Sequence, residues 1–241
     1  MLRILQNGYN QDTVASTGYE TNSNAPYKVS DWDDRVVLRW GNGYEYGKRD
    51  FKNVLNPQEA IKLNCRKRDS LQAMAAQGVV IPRMYGKRVP AGALAVVRPN
   101  AHGGGEGFEV RKGPFPIPEG CYAIEFIPTR LEVRCWFCGS KTLWAYRISH
   151  DAARRADKYP CRSKWPYKFT NAPVPKALHD QALLAARAVG LDCGAADVLV
   201  KDGRYYTVEI NSAPAVDHPK ITAFLKRELM KLAKERYPRV A

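Results

Sequence analysis

No apolar run in this 241-residue chain approaches the roughly 20 residues that span a bilayer. The opening Met1-Leu2-Arg3-Ile4-Leu5 is interrupted too soon by Gln6-Asn7-Gly8 to serve as a signal peptide. The chain therefore reads as soluble and cytoplasmic, with no membrane partner. Cysteine is sparse: the six residues, at positions 65, 121, 135, 138, 161 and 193, lack the dense spacing of a small secreted disulfide scaffold, which points to a reducing compartment. Cys135 and Cys138 form a CxxC, but they flank Trp136 and Phe137 in a strand-like run, and no second pair or spaced histidines complete a zinc site. Internal repeats are absent. So are the GxxxxGK[ST] and GxGxxG patterns, which excludes a P-loop or Rossmann assignment. Acidic residues are outnumbered 24 to 38 by basic ones, giving a formal charge of +14 and a pI near 9.6. That excess favours a polyanionic partner, and nucleotide phosphates, nucleic acid and acidic peptide tails all satisfy it. Hydrophobic residues make up 45%, enough for a sizeable core and two packed subdomains.

The stretch Gly190 to Pro214, GLDCGAADVLVKDGRYYTVEINSAP, holds the most informative constellation. Side chains alternate faces along a strand, so Glu209 and Asn211 share one face while Val208 and Ile210 share the other. A three-residue loop, Lys201-Asp202-Gly203 with Gly203 left-handed, sets Val200 opposite Arg204 and Asp197 opposite Thr207. Val198, Val200, Tyr206, Val208 and Ile210 then form an apolar face, and Asp197, Thr207, Glu209 and Asn211 a polar one. A two-residue Asp-Gly turn would shift the register by one and bury Asp197 unpaired among valines, so the longer loop is expected. Two carboxylates and an amide suit magnesium, which takes oxygen ligands and completes its shell with water and substrate phosphates. An ordinary surface hairpin with a polar solvent face uses the same residues.

Around this hairpin the chain divides into recognisable pieces. Residues 1 to about 55 form a small or partly irregular leading region with one strand at Arg35 to Trp40. From Asn56-Pro57 a helical pattern runs through Ala60, Leu63, Leu71, Met74 and Ala75 to Gln77-Gly78, with Arg66, Lys67 and Arg68 as a solvated basic face. Strands Leu94 to Pro99 and Phe108 to Arg111 flank the glycine-rich Asn100 to Gly107, whose backbone is able to approach phosphates closely. Taken alone, that loop reads as a mobile turn and His102 within it as a bystander. After Tyr122 to Ile127 comes a hairpin turning at Gly139-Ser140, which sets Glu132 opposite Arg147 and Arg134 opposite Ala145. One face carries Glu132, Arg134 and Arg147, as an ion pair or as part of a nucleotide site. Residues 151 to 175, rich in Arg, Lys and aromatics, read as a basic loop near a substrate entrance, suited to nucleic acid or an acidic peptide, or as a solvated loop with Trp165 tucked inward. Helices are expected over 176–189 and from Pro219 to Arg236.

In this order, WGN, NPQEAIKLNCRK, GVVIP, VVRPNAHGGGEG, AIEFI, LEVR, the GLDCGAADVLV unit and VEINSAP resemble the ATP-grasp superfamily of carboxylate-amine ligases. The likeness is greatest to small phage-type members and to ligases that add glutamate to ribosomal protein tails. It implies an α+β fold: a truncated leading region (1–55), a small lid subdomain (56–128) and a C-terminal subdomain with the metal site (129–241), the last two gripping ATP between them. By that likeness Lys67 and Arg98 hold ATP phosphates, and His102, Gly103, Gly104 and Gly105 close over them. Glu125, Phe126 and Ile127 are the hinge that reads adenine, and Glu132 bonds the ribose. Asp197, Glu209 and Asn211 bind magnesium, and Arg134 and Arg147 face the transferred phosphoryl group and the substrate carboxylate. The chemistry implied is phosphorylation of a carboxylate to an acyl phosphate, then attack by an amine to give an amide, ADP and phosphate.

The chain departs from that pattern in three ways. Arg98 stands where lysine is usual, replacing a point donor with a planar fork. The leading region is short, and the basic stretch after His150 is not shared. Two competing readings remain at this level. One is a nucleic-acid or polyanion binding module on an inactive ATP-grasp scaffold. The other is a kinase that stops at phosphoryl transfer.

Overall fold

The computed structural model describes residues 2–6, 20–23, 34–43, 51–102, 106–148 and 166–240. Its first sheet is parallel, in the order β2-β1-β3-β4, from β1 (Leu2–Gln6), β2 (Glu20–Ser23), β3 (Val36–Trp40) and β4 (Val54–Leu55). Every residue of β3 is buried, the continuous burial that a parallel strand covered on both faces demands. The described residues of the leading region thus contribute strands besides the one expected at Arg35 to Trp40. The polar sequence of β2, ETNS, carries no alternation that would reveal it as a strand.

The expected single helix is two: α1 (Gln58–Cys65) and α2 (Lys67–Ala76), broken at Arg66, whose φ of −90° and ψ of 88° leave the helical region. The break has a cause and a consequence. Asn100 accepts the Lys67 N–H on its carbonyl at 2.9 Å and the Arg68 N–H on its side chain at 2.8 Å, satisfying two orphan donors of α2 from another part of the chain. Lys67 is thereby buried beside the end of the strand carrying Arg98, whereas Arg66 and Arg68 are exposed, so the basic run is a solvated face only in part.

A middle antiparallel sheet, in the order β5-β10-β7-β8, follows from β5 (Met84–Tyr85), β7 (Leu94–Pro99), β8 (Glu109–Lys112) and β10 (Cys121–Glu125). The short pair β6 (Arg88–Val89) and β9 (Phe115–Pro116) stands apart. A larger sheet takes the order β13-β12-β11-β14-β15, all antiparallel. Its strands are β11 (Leu131–Cys138), β12 (Lys141–Ile148), β13 (Lys168–Phe169), β14 (Cys193–Lys201) and β15 (Arg204–Asn211). Helix α3 (Lys176–Val189) covers one face, seating Leu178 and Ala182 against Val133, Cys135, Ala196 and Val198. It ends at Gly190, left-handed at φ 75°, with the Leu191 N–H returning to the Ala186 carbonyl at 2.9 Å. Helix α4 (Pro219–Arg236) lies on the other face, where Ile221, Phe224, Leu225 and Leu229 meet Trp136, Cys138 and residues of the first sheet. Cys135 and Cys138 fall in these two opposite cores, so the CxxC cannot converge on one metal. No helix among the described residues is long and apolar enough to cross a membrane.

The β14–β15 hairpin differs from the sequence expectation. Lys201 pairs with Arg204, so the turn is the two-residue Asp202-Gly203 with both residues at positive φ, 50° and 74°. Parity is restored by a bulge: Val198 pairs with Thr207 but Asp197 with Glu209, leaving Val208 as the extra residue. The requirement that Asp197, Glu209 and Asn211 share a side is met by a different device. The shorter turn and the bulge also move neighbours from their expected faces: Tyr206 leaves the apolar face and pairs with Leu199, which lines the cavity. Thr207 turns to the α3 side, where it is buried and its hydroxyl accepts from Gln181 at 3.2 Å, and Val208 lines the cavity on the polar side.

Candidate active site

A cavity of about 180 Å3 lies between the middle and the large sheets. Its floor is the pair β14–β15 after the bulge, which presents Asp197, Glu209 and Asn211, the Asn211 amide donating to Asp197 at 3.2 Å. One wall comes from the hairpin β11–β12 in the expected register, Glu132 opposite Arg147 and Arg134 opposite Ala145, with Gly139 at φ 55° in the tight turn. The opposite wall carries Val96 and Arg98 of β7, and the end is closed by Glu125, Phe126 and Ile127.

Three of the carboxylates here, Glu132, Asp197 and Glu209, are answered by four cations. Arg134 grips Asp197 with both arms of its fork, Nε to Oδ1 at 2.6 Å and Nη2 to Oδ2 at 2.8 Å. Burial disfavours its charge, but Asp197 outweighs that and holds the guanidinium above its ordinary range. Lys67 reaches Glu209 at 2.9 Å and also donates to the Ile210 carbonyl at 3.2 Å, while Arg98 stands 3.6 Å from the other Glu209 oxygen. Burial pushes the Glu209 carboxyl up, yet Lys67 and then Arg98 prevail and hold it at about 2. Glu132, 4% exposed, accepts from Arg147 and from the Tyr167 hydroxyl at 2.9 Å.

Tyr167 is the residue that sequence reasoning missed as a site member. Its ring lies under both guanidinium groups, 5.0 Å from Arg134 and 4.6 Å from Arg147, so one aromatic face orients two cations. Burial, then Asp197 and Glu132, raise its hydroxyl well above the ordinary range and keep it a donor. It belongs to an aperiodic stretch, and no local pattern marks it. The Asn100 cap on α2, which sets Lys67 against Glu209, is equally invisible in the sequence, because Asn100 and Lys67 meet only in the fold.

His102 is half-buried, with Nε2 3.1 Å from the Tyr122 hydroxyl. Burial, then Arg98, lower its pKa to about 4, so it is neutral at pH 7. It therefore sits in the field of the site rather than apart from it. Gly103, Gly104, Gly105 and most of the basic stretch, residues 151–165, lie outside the described residues. All other sequence-derived candidates converge on the one cavity or pair with a residue that lines it.

No family model matches this chain, and no curated protein matches it. Its fold, however, has solved counterparts. A D-alanine–D-alanine ligase from Bacillus anthracis is similar at a TM-score of 0.63 and 16% identity, covering 99% of this chain and 97% of that one. The macrocyclase MdnC from Microcystis aeruginosa, bound to its precursor peptide MdnA, is similar at 0.60 and 13%, covering 95% and 99%. The ATP-grasp ligase PsnB, complexed with a minimal precursor, is similar at 0.61 and 14%, covering 97% and 98%. Nearly full coverage of both partners in each case shows that this chain has the α+β fold of ATP-grasp ligases.

Proposed function

We propose that this chain is an ATP-dependent, ADP-forming ligase that joins a carboxylate to an amine. The observation that carries the reading is the convergence of Asp197, Glu209 and Asn211 on one cavity floor, ringed by Lys67, Arg98, Arg134 and Arg147. The donor set fits magnesium. All three residues offer oxygen, and the Asn211 amide bonds Asp197 through its nitrogen and so keeps its own oxygen available. Such a site leaves coordination positions for phosphates, the arrangement this ion favours. The neighbours support it too: the B. anthracis ligase is also known complexed with ATP, and PsnB with Mg and ADP.

Bound there, magnesium-ATP would supply the phosphoryl group that converts a substrate carboxylate to an acyl phosphate with loss of ADP. An amine then forms the C–N bond as phosphate leaves and the nitrogen gives up a proton. The protein's part is positional and electrostatic. Lys67 and Arg98 exchange Glu209 for phosphate oxygens, and Arg134, released from Asp197, turns to the charge developing on the phosphoryl group. Arg147, fixed by Glu132 and Tyr167, holds the substrate carboxylate in line. The backbone at Glu125 to Ile127 takes the adenine edge, Glu132 offers its carboxylate to the ribose, and the segments 56–128 and 129–241 form the two halves of the grip.

The test is ADP release from ATP and magnesium with pooled amino acids and short peptides. Asp197→Asn and Glu209→Gln should each lower turnover by roughly a hundredfold or more, as loss of transition-state charge stabilisation does. A wild-type protein that binds no nucleotide overturns the reading, and a phosphorylated product without amide would mark a kinase instead.

A further inference from the structure

Behind the wall of Arg134, Arg147 and Tyr167 lies a second cavity of about 510 Å3, inside the range of about 300–1,000 Å3 usual for small-ligand sites. Both arginines line the two cavities, so a carboxylate set against them from this side faces the nucleotide cavity. The chamber is walled by flat rings. Trp136 stacks on Phe169 at 5.6 Å and meets Tyr167 edge-on at 5.9 Å, and Phe169 lies face to face with His218 at 3.9 Å.

Its polar groups are specific. The Trp136 indole N–H beside this lining is buried and has no hydrogen-bond partner among the described residues. Arg134 meets Asp197 through Nε and Nη2, which leaves Nη1 for another acceptor, and on β11 it stands two residues from Trp136 on the same face. The Asp217 carboxylate, exposed to solvent, adds one negative group to the lining.

We propose that this chamber holds the acid substrate of the ligation and that this substrate is a free aromatic amino acid. Its carboxylate rests on Arg134 and Arg147, its ring lies among Trp136, Phe169 and His218, and its ammonium faces Asp217. The assignment rests on the ligase reading for its chemistry, but the binding preference stands on the chamber alone.

The experiment is a calorimetric titration of the full chain, held with magnesium and a non-hydrolysable ATP analogue, against L-phenylalanine, L-alanine, phenethylamine and 3-phenylpropanoate. Phenylalanine should bind roughly thirtyfold or more tightly than alanine, from burial and stacking of its ring. Phenethylamine, which lacks the carboxylate, should lose roughly tenfold or more. The loss for 3-phenylpropanoate should be only about two- to fivefold, because an exposed carboxylate is a weak partner. Asp217→Asn should erase the difference between phenylalanine and 3-phenylpropanoate. Ala215→Phe should fill the chamber and weaken phenylalanine roughly tenfold, with analogue affinity showing that each variant is folded. Equal binding of alanine and phenylalanine, or no binding of any probe while the analogue binds, overturns the chamber proposal. Failure of the wild type to bind the analogue overturns the ligase reading instead, and the same probes titrated on the protein alone then decide the chamber by the same criterion.

Discussion

Glu209 is a half-buried carboxylate held between a lysine and an arginine, and its titration has a readable sign. Its ordinary pKa is 4.5, and in the fold it is held at about 2 against the opposing pull of burial. A depressed carboxyl contributes stability above its unfolded pKa and loses that contribution as pH falls through the folded one. At 1.36 kcal/mol per unit the contribution is on the order of 3 kcal/mol. Urea unfolding at stepped pH should therefore show the stability gap between wild type and Glu209→Gln shrinking as pH drops from 4.5 towards 2, and staying constant above 5. A gap that is flat across the acid range would contradict the triad with Lys67 and Arg98. Tyr167 permits a finer dissection, since its ring and its hydroxyl have different partners. Tyr167→Phe keeps the ring beneath the two guanidinium groups and removes one hydrogen bond, about 1 kcal/mol, so kcat/KM should fall about fivefold. Tyr167→Ala also removes the ring beneath both arginines and should fall well below that.

Among the elements, the hairpin that carries the acidic residues is held in place by close packing. Gly194 on β14 faces the backbone of β15 so tightly that a Cβ there would stand 2.4 Å from the Asn211 carbonyl oxygen and 2.9 Å from the Phe137 ring. Backbone cannot swing aside as a lysine tail can, so Gly194→Ala must push Asn211 away from β14 and from its hydrogen bond to Asp197. Overpacking of this kind costs about 1–3 kcal/mol. The variant should melt lower and lose activity beyond what its residual folded fraction explains, as circular dichroism beside turnover would show. This hairpin also marks where sequence reasoning reached its limit. Helices α3 and α4, the β11–β12 register and the common side of Asp197, Glu209 and Asn211 all follow from periodicity or parity, because burial of one face dictates them. The parity at Asp197 has two physical solutions, a longer loop or a bulge, and local sequence does not distinguish them. The broken helix at Arg66 and the Tyr167 platform depend on partners 30 or more residues away, Asn100 and Glu132, and such contacts exist only once the chain has folded.

Across the whole molecule, the site joins separately formed sheets. Asn56 stitches the first sheet to the start of β14: its side chain donates to the carbonyls of Arg39 and Cys193 and accepts the N–H groups of Asp192 and Cys193. Across the cleft, Lys67 on α2 and Arg98 on β7 reach Glu209 on β15. These cation bridges tie the two sides of the cleft together. A metal ion alone would have to displace Arg134 from Asp197 and Lys67 from Glu209, leaving buried cations with no anion, which is unfavourable. A nucleotide would bring phosphates to accept those cations while the metal took the carboxylates. The two ligands should therefore bind as a couple, each raising affinity for the other by the same factor. Magnesium with an ATP analogue at about 100 times its dissociation constant adds about 2.7 kcal/mol, which for a chain of this size is a rise in Tm of about 5–11 °C. Magnesium alone at the same concentration should shift the melt by less than about 1 °C on that scale. With Arg134→Met the metal no longer has to compete for Asp197, so magnesium alone should begin to stabilise the protein. If wild type responds to magnesium alone as strongly as to the pair, the ion pairs do not govern access to the carboxylates.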